Sequence, residues 1–155
     1  MDNKGLIQKF YNSFAAGNSE GMISCYHDNI QFEDPAFGKL QGEDAKLMWE
    51  MLLSRNTSLK INFSDVEANE YNGSVNWIAE YAFAQTGRNV INKISAQFEF
   101  ADGKIIKHTD YFDLWKWTQQ ALGWKGYLFG WTTFMRNKIQ KMTNGFLSTY
   151  KKNKK

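Results

Sequence analysis

One cysteine, one proline and two histidines are all that the 155 residues hold of these three types. Cys25 alone cannot close an internal disulfide, and with only His27 and His108 there is no soft-ligand set for zinc or redox chemistry. No metal and no cofactor are therefore expected. No apolar run approaches the roughly 18 residues of a membrane span, so no integral membrane segment is expected. Residues 1–17 lack the basic start and apolar middle of a secretory signal, which makes the cytoplasm the expected location. Triplets of the glycosylation type begin at Asn56, Asn62 and Asn72; without an export route they read as chance matches.

What is present is a chain 43% apolar and 16% aromatic. That is enough to bury roughly two-thirds of the unfolded surface in one domain. Charge is uneven along it. Residues 1–135 carry 12 basic and 16 acidic groups, whereas residues 136–155 carry seven basic groups and no acid. A nucleic-acid surface spread over the domain is not expected, because the basicity comes from one tail.

Leu6, Ile7, Phe10, Tyr11 and Phe14 recur at three and four residues, the stripe of an amphipathic helix ending near Gly17. Asn18 or Ser19 caps a second short helix through Tyr26, with Met22, Ile23 and Tyr26 inward. Ile30 to Pro35 alternates as a strand and stops at the only proline, and Phe37 to Gln41 is a short companion. Leu47, Met48, Met51 and Leu52 mark a third helix over Ala45 to Ser54. From Thr57 the period becomes two, and Leu59–Asn69, Ser74–Ala84, Asn89–Phe100 and Ile105–Trp117 read as four strands. Asn72-Gly73, Thr86-Gly87 and Asp102-Gly103 read as their turns, so an antiparallel meander is expected. Trp124 to Tyr150 predicts a terminal helix with a fraying lysine end.

Residues two apart on a strand share a face. Ile106, His108, Asp110 and Phe112 therefore form an apolar face with two ionisable groups in it. Ile30, Phe32 and Asp34 repeat the arrangement on the first strand. A carboxylate on the apolar side of a curved sheet gains proton affinity by desolvation and suits a general base. Asp34 before Pro35 also suits a purely structural turn, and His108 with Asp110 a satisfied structural pair. The aromatics Phe10, Phe14, Trp49, Tyr81, Phe83 and Phe98 read first as core, and as cavity walls where a sheet bent around the helices leaves core volume empty.

The order of helices, Phe32-Glu-Asp-Pro35, a further helix and a meander ending in His108-Thr-Asp110 resembles the nuclear transport factor 2-like superfamily. Within it the chain is most similar to the SnoaL-like polyketide cyclases and ketosteroid isomerases, over about residues 3–117. The resemblance implies an α+β fold, a cone-shaped curved mixed or antiparallel sheet wrapped around N-terminal helices (a cystatin-like α+β barrel). An extra C-terminal helix follows, with residues 1–120 as the cone and 121–155 as an extension of the same domain. Asp34 matches the proton-shuttling base of the isomerases, and Thr86-Gly87-Arg88 resembles their hairpin. Phe10 stands at the place of their tyrosine donor and Ala96 at that of their protonated aspartate, while Tyr11 lies about 100° around the helix. His108-Thr-Asp110 resembles the His-x-Asp of the cyclases, in which the aspartate removes a carbon-bound proton before an aldol closure.

The implied activity is proton abstraction next to a carbonyl, as an isomerase or aldol cyclase, on a small hydrophobic carbonyl compound in a buried pocket. Asp34, His108 and Asp110 are the expected catalytic residues. Phe10, Tyr11, Phe14, Phe32, Trp49, Tyr81, Phe83, Phe98 and Phe112 are the expected substrate contacts, and a homodimer is the expected assembly. The alternative is a non-catalytic ligand-binding or protein-association module of the same fold. Limonene epoxide hydrolases share the fold and use an Asp-Arg-Asp relay, which neither Arg55 nor Arg88 is placed to complete, Arg88 lying at a hairpin end. The extension from Ala121 caps the cone's mouth, touches a partner or an anionic membrane surface, or simply packs as a helix with a solubilising end.

Overall fold

Asp2 starts the first helix, its carboxylate accepting the N–H of Gly5 at 2.8 Å, and α1 runs Asn3–Ala15. Its apolar stripe from Leu6 to Phe14 is buried, as the spacing predicts. Asn18 caps α2, Ser19–Ile23, in the same way. α2 stops short of Tyr26, which instead opens the strand β1, Tyr26–Asp34. The computed structural model describes residues 1–55 and 58–154. The triplet at Asn56, the change of period at Thr57 and Lys155 lie outside them.

β2 (Gly38–Gln41), α3 (Glu43–Arg55), β3 (Lys60–Ala68), β4 (Asn72–Ala82), β5 (Asn89–Ala101) and β6 (Lys104–Tyr111) follow. Their order in one curved sheet is β2-β1-β6-β5-β4-β3. β3 to β6 form the antiparallel meander, and β1 joins β6 in parallel. The sheet stays open, with β2 and β3 as its edges, rather than closing as a barrel. Its inner face packs on α1 and α3 around a core that includes Ile7, Phe10, Phe32, Met48 and Phe98.

Three local expectations shift. Asn72-Gly73 belongs to β4; the turn falls at 69–71, because the Asn69 side chain takes the N–H groups of Tyr71 and Asn72. Ile105, not Ile106, points inward, since the pairing slips by one residue where Phe100 faces Ile105 and Glu99 faces Lys107. Residues 114–117 leave the strand for α4, Leu114–Leu122, because Asp113 caps a new helix by accepting the N–H of Lys116 at 3.1 Å. The remaining chain forms α5, Trp124–Phe129, and α6, Thr133–Lys154.

α6 folds back over the open end between sheet and helices. Gln140, Thr143 and Asn144 donate side-chain hydrogen bonds to the carbonyls of Pro35, Ala36 and Phe37. Lys151 and Lys154 pair with Asp44 and Glu50 of α3. Two of the tail's seven basic groups are thus held on the domain's own acids. No helix is long and apolar enough to cross a membrane among the described residues.

Candidate active site

Strand register brings Phe32, His108 and Phe98 side by side on the inner face, with Asp110 next to Ala96. His108 is fully buried and Asp110 nearly so. A continuous polar chain runs through them. Trp49 Nε1–H donates to the Tyr26 hydroxyl at 2.8 Å, and that hydroxyl lies 2.7 Å from His108 Nδ1. His108 Nε2 lies 2.9 Å from Asp110 Oδ1, which also accepts Trp77 Nε1–H at 3.3 Å. Matching each donor to an acceptor places the Tyr26 proton on the Nδ1 bond and the ring proton of His108 on Nε2. Phe10, Phe32 and Phe98 close around the imidazole at 4.6–5.5 Å, and Trp49 stacks on it at 6.0 Å.

Beside this filled region lies a cavity of about 250 Å³, walled by Phe14, Tyr81, Phe112, Trp117 and Phe146 among others, with Asp34 in its lining. It exceeds the ~150 Å³ apolar cavity that holds a benzene, which sets the scale of a guest. Asp34 is the last residue of β1, at the start of the turn over residues 35–37 that Pro35 opens. Its Oδ1 accepts the N–H groups of Ala36 at 2.9 Å and Phe37 at 2.6 Å. Burial nonetheless raises its proton affinity to about 7, against those two bonds and with help from the negative charge of Asp110.

Two neutral polar groups share the wall. The Tyr81 hydroxyl accepts Trp117 Nε1–H at 2.7 Å, so its own proton is left to donate elsewhere. Burial pushes that phenol up, keeping it protonated. Asn92, paired opposite Ala79, also lines the cavity. Arg55 contributes from the end of α3, its guanidinium 5.2 Å over the Phe146 ring. Arg88 is occupied differently, donating Nε–H to the Gln120 carbonyl. Among the described residues no ion pair joins Asp34 to an arginine, and no three His, Cys, Asp or Glu side chains gather as a metal site.

Of the residues singled out in the sequence, Asp34, Phe14, Tyr81, Phe83 and Phe112 meet at the cavity. His108, Asp110, Phe10, Tyr11, Phe32, Trp49 and Phe98 pack together outside its lining. The Tyr11 hydroxyl is buried there with no hydrogen-bond partner among the described residues. Sequence reading misses Trp117, which it places on a strand, and Asn92, whose inward parity on β5 was the available signal. It also misses the cavity contacts of Met142 and Phe146. Their helical stripe is visible, but what that stripe covers is set by the hydrogen bonds of α6 to residues 35–37.

A comparison with curated proteins found no match. Several solved structures are similar in fold. A candidate polyketide cyclase from Xanthomonas campestris superposes with a TM-score of 0.62 at 21% identity, covering 76% of this chain and 94% of that one. A protein of unknown function from Burkholderia pseudomallei, NTF2-like in fold, gives 0.67 at 14%, covering 78% and 98%. A protein of ketosteroid isomerase-like fold from Catenulispora acidiphila, in complex with trimethylamine, gives 0.64 at 9%, covering 75% and 91%. The model of the SnoaL-like domain matches residues 7–108, from α1 through His108 of β6, and the chain belongs to that family.

Proposed function

We propose that this protein is a cofactor-independent isomerase or aldol cyclase that removes a proton next to the carbonyl of a small hydrophobic compound. The observation that carries the reading is Asp34. It is a carboxylate in the wall of an apolar cavity, with its proton affinity raised to about 7. That value matches a base working near neutral pH.

In the reaction, the Asp34 carboxylate takes the proton from the α-carbon, and the C–H electron pair moves into an enolate. The Tyr81 O–H and the Asn92 amide are the donors for the enolate oxygen, a pair distinct from the positions that Phe10 and Ala96 occupy. The proton then returns to a different carbon, giving isomerisation, or the enolate carbon attacks a second carbonyl of the same substrate, whose π pair moves onto its oxygen and takes the proton back from Asp34, giving ring closure and a hydroxyl. The cavity supplies rate by holding base, donors and substrate together away from water.

His108 and Asp110 serve this reaction from behind the wall as positioning residues. Asp110 adds its charge to the upward push on Asp34, and His108 holds Asp110 on one side and Tyr26 on the other. A homodimer, as the family resemblance implies, would use the outer sheet face, where Ile78, Ile91 and Tyr111 are exposed.

One observation favours the rival, a ligand-binding module without chemistry: Asp34 also shapes the turn after β1 through its two backbone bonds. Exchange of α-protons for deuterium on small ketones such as 2-tetralone, followed by proton NMR, separates the two. Protein-dependent exchange that disappears in Asp34→Asn supports the enzyme. Binding of such ketones with no exchange above buffer supports the module.

A further inference from the structure

Trp124, Tyr127, Leu128, Phe129, Trp131 and Phe134 are each at least half exposed, Phe134 at 74% and Trp131 at 68%. An apolar surface of this density on a folded chain marks a contact with something else. The helix beneath it is inverted. On α5 the side chains of Trp124, Tyr127 and Leu128 fall within an arc of about 100°, and the buried residue opposite them is Gly126. A Cβ at Gly126 would run into the Thr118 carbonyl of α4, and one at Gly130 into the Thr118 hydroxyl. Glycine therefore faces the protein and the large apolar groups face outward, the reverse of an ordinary surface helix.

The patch is held in shape. The Trp115 ring lies 6.0 Å from that of Tyr127, and its indole N–H donates to the Tyr127 carbonyl at 3.0 Å. The Trp131 indole N–H donates to the Leu128 carbonyl at 3.0 Å. These two indoles are already satisfied, so moving them out of water leaves no unpaired N–H behind.

Charge selects the occupant. No acid occurs from Leu114 to the end of the chain, while Lys116, Lys125, Arg136 and Lys138 are interspersed along it with the aromatics, and the Lys125 ammonium lies 5.8 Å over the Trp124 ring. These four lysines and arginines are exposed and form no ion pair among the described residues. A second copy docked about a two-fold axis would set the same cations against each other with no acid on these elements to offset them. An apolar layer under a negative surface fits both features at once.

We propose that α5 and the turn after it form a membrane-interface anchor. Trp124, Leu128, Phe129, Trp131 and Phe134 enter the boundary between headgroups and acyl chains of an anionic bilayer, and Lys125 and Arg136 meet its phosphates. The anchor stands independently of the reaction assigned to Asp34. It sits on the outer side of the helical pair whose inner side, through Trp117, walls the cavity.

Flotation of the full chain with vesicles of phosphatidylcholine alone, and of an equimolar mixture with phosphatidylglycerol, tests it. The expected result is partition to the mixed vesicles with a blue shift of tryptophan emission, at least tenfold weaker to phosphatidylcholine and weakened by salt. The triple variant Trp124→Ser, Leu128→Ser, Trp131→Ser is expected to lose at least tenfold in partition while keeping its circular dichroism melting curve. Lys125→Glu with Arg136→Glu is expected to lose the preference for phosphatidylglycerol. Absence of vesicle binding at low salt overturns the proposal, as does equal partition of wild type and triple variant. A dimer that the triple variant converts to monomer, without vesicle binding, assigns the surface to a second copy instead.

Discussion

Asp34 Oδ1 accepts the backbone N–H of Phe37 at 2.6 Å, yet the carboxyl holds its proton more tightly than an ordinary aspartate. The two donated bonds favour the charged form; burial and the negative Asp110 oppose it and win, with the balance at about 7. One residue thus makes the turn that begins the cavity and carries the most displaced acidity in it.

If Asp34 is the base, kcat/KM for α-proton exchange rises with pH as the carboxylate forms and levels off above about 7. Asp34→Asn keeps the turn, because its amide oxygen accepts the same N–H groups, and lowers kcat by about 10²–10⁴-fold. A pH–rate profile of wild type and variant checks both. A flat profile between pH 5 and 9, about two units either side of that value, removes Asp34 from the role.

Stability carries the same signature. Unfolded, Asp34 loses its proton near the usual ~3.9; folded, it does so near 7. Between those values the native state binds the extra proton, so raising the pH through this window destabilises the fold, by on the order of 4 kcal/mol. Urea unfolding of Asp34→Asn across pH 4–8 is expected to lack this fall, leaving the variant about 1–3 kcal/mol more stable than wild type at pH 8. Parallel curves for the two proteins would show that the carboxyl is ionised throughout.

Tyr81→Phe removes a donor from the cavity and leaves Trp117 Nε1–H without its acceptor. The expected loss in kcat is about 100-fold, with KM changing much less, since the bond tightens as charge develops on oxygen. Steady-state kinetics on an exchanging ketone decides this. A rise in KM alone would make Tyr81 a binding contact.

Two buried tyrosines should respond with opposite sign. Tyr26→Phe strands Trp49 Nε1–H and His108 Nδ1 together, at a cost of about 2–4 kcal/mol. Tyr11→Phe deletes a hydroxyl that is buried without a partner, and is expected to stabilise by about 1 kcal/mol. Chemical denaturation of both variants measures the difference. A destabilised Tyr11→Phe would mean that its hydroxyl has a partner in solution.

The fold was largely legible because hydrophobic period is a local property. The stripe of α1, the alternation of β4 and β5 and the turn at Asp102-Gly103 are each set by a few neighbouring residues, and both residues of that turn have positive φ. The errors fall where one side chain decides between two local outcomes: Asp113 ended a strand by capping a helix, and Asn69 drew the turn away from Asn72-Gly73.

Parity alone put His108 and Asp110 on the inner face, and the only proline put Asp34 at a strand end. Which of those groups meets open space was decided by how distant elements fill the cone. Phe10 and Trp49, from two helices, pack around His108, while Trp117 of α4 and Phe146 of α6 line a void together with Asp34. Period along a chain follows from nearest-neighbour geometry; an empty volume is the remainder left by many long-range contacts, and only the tertiary structure contains it.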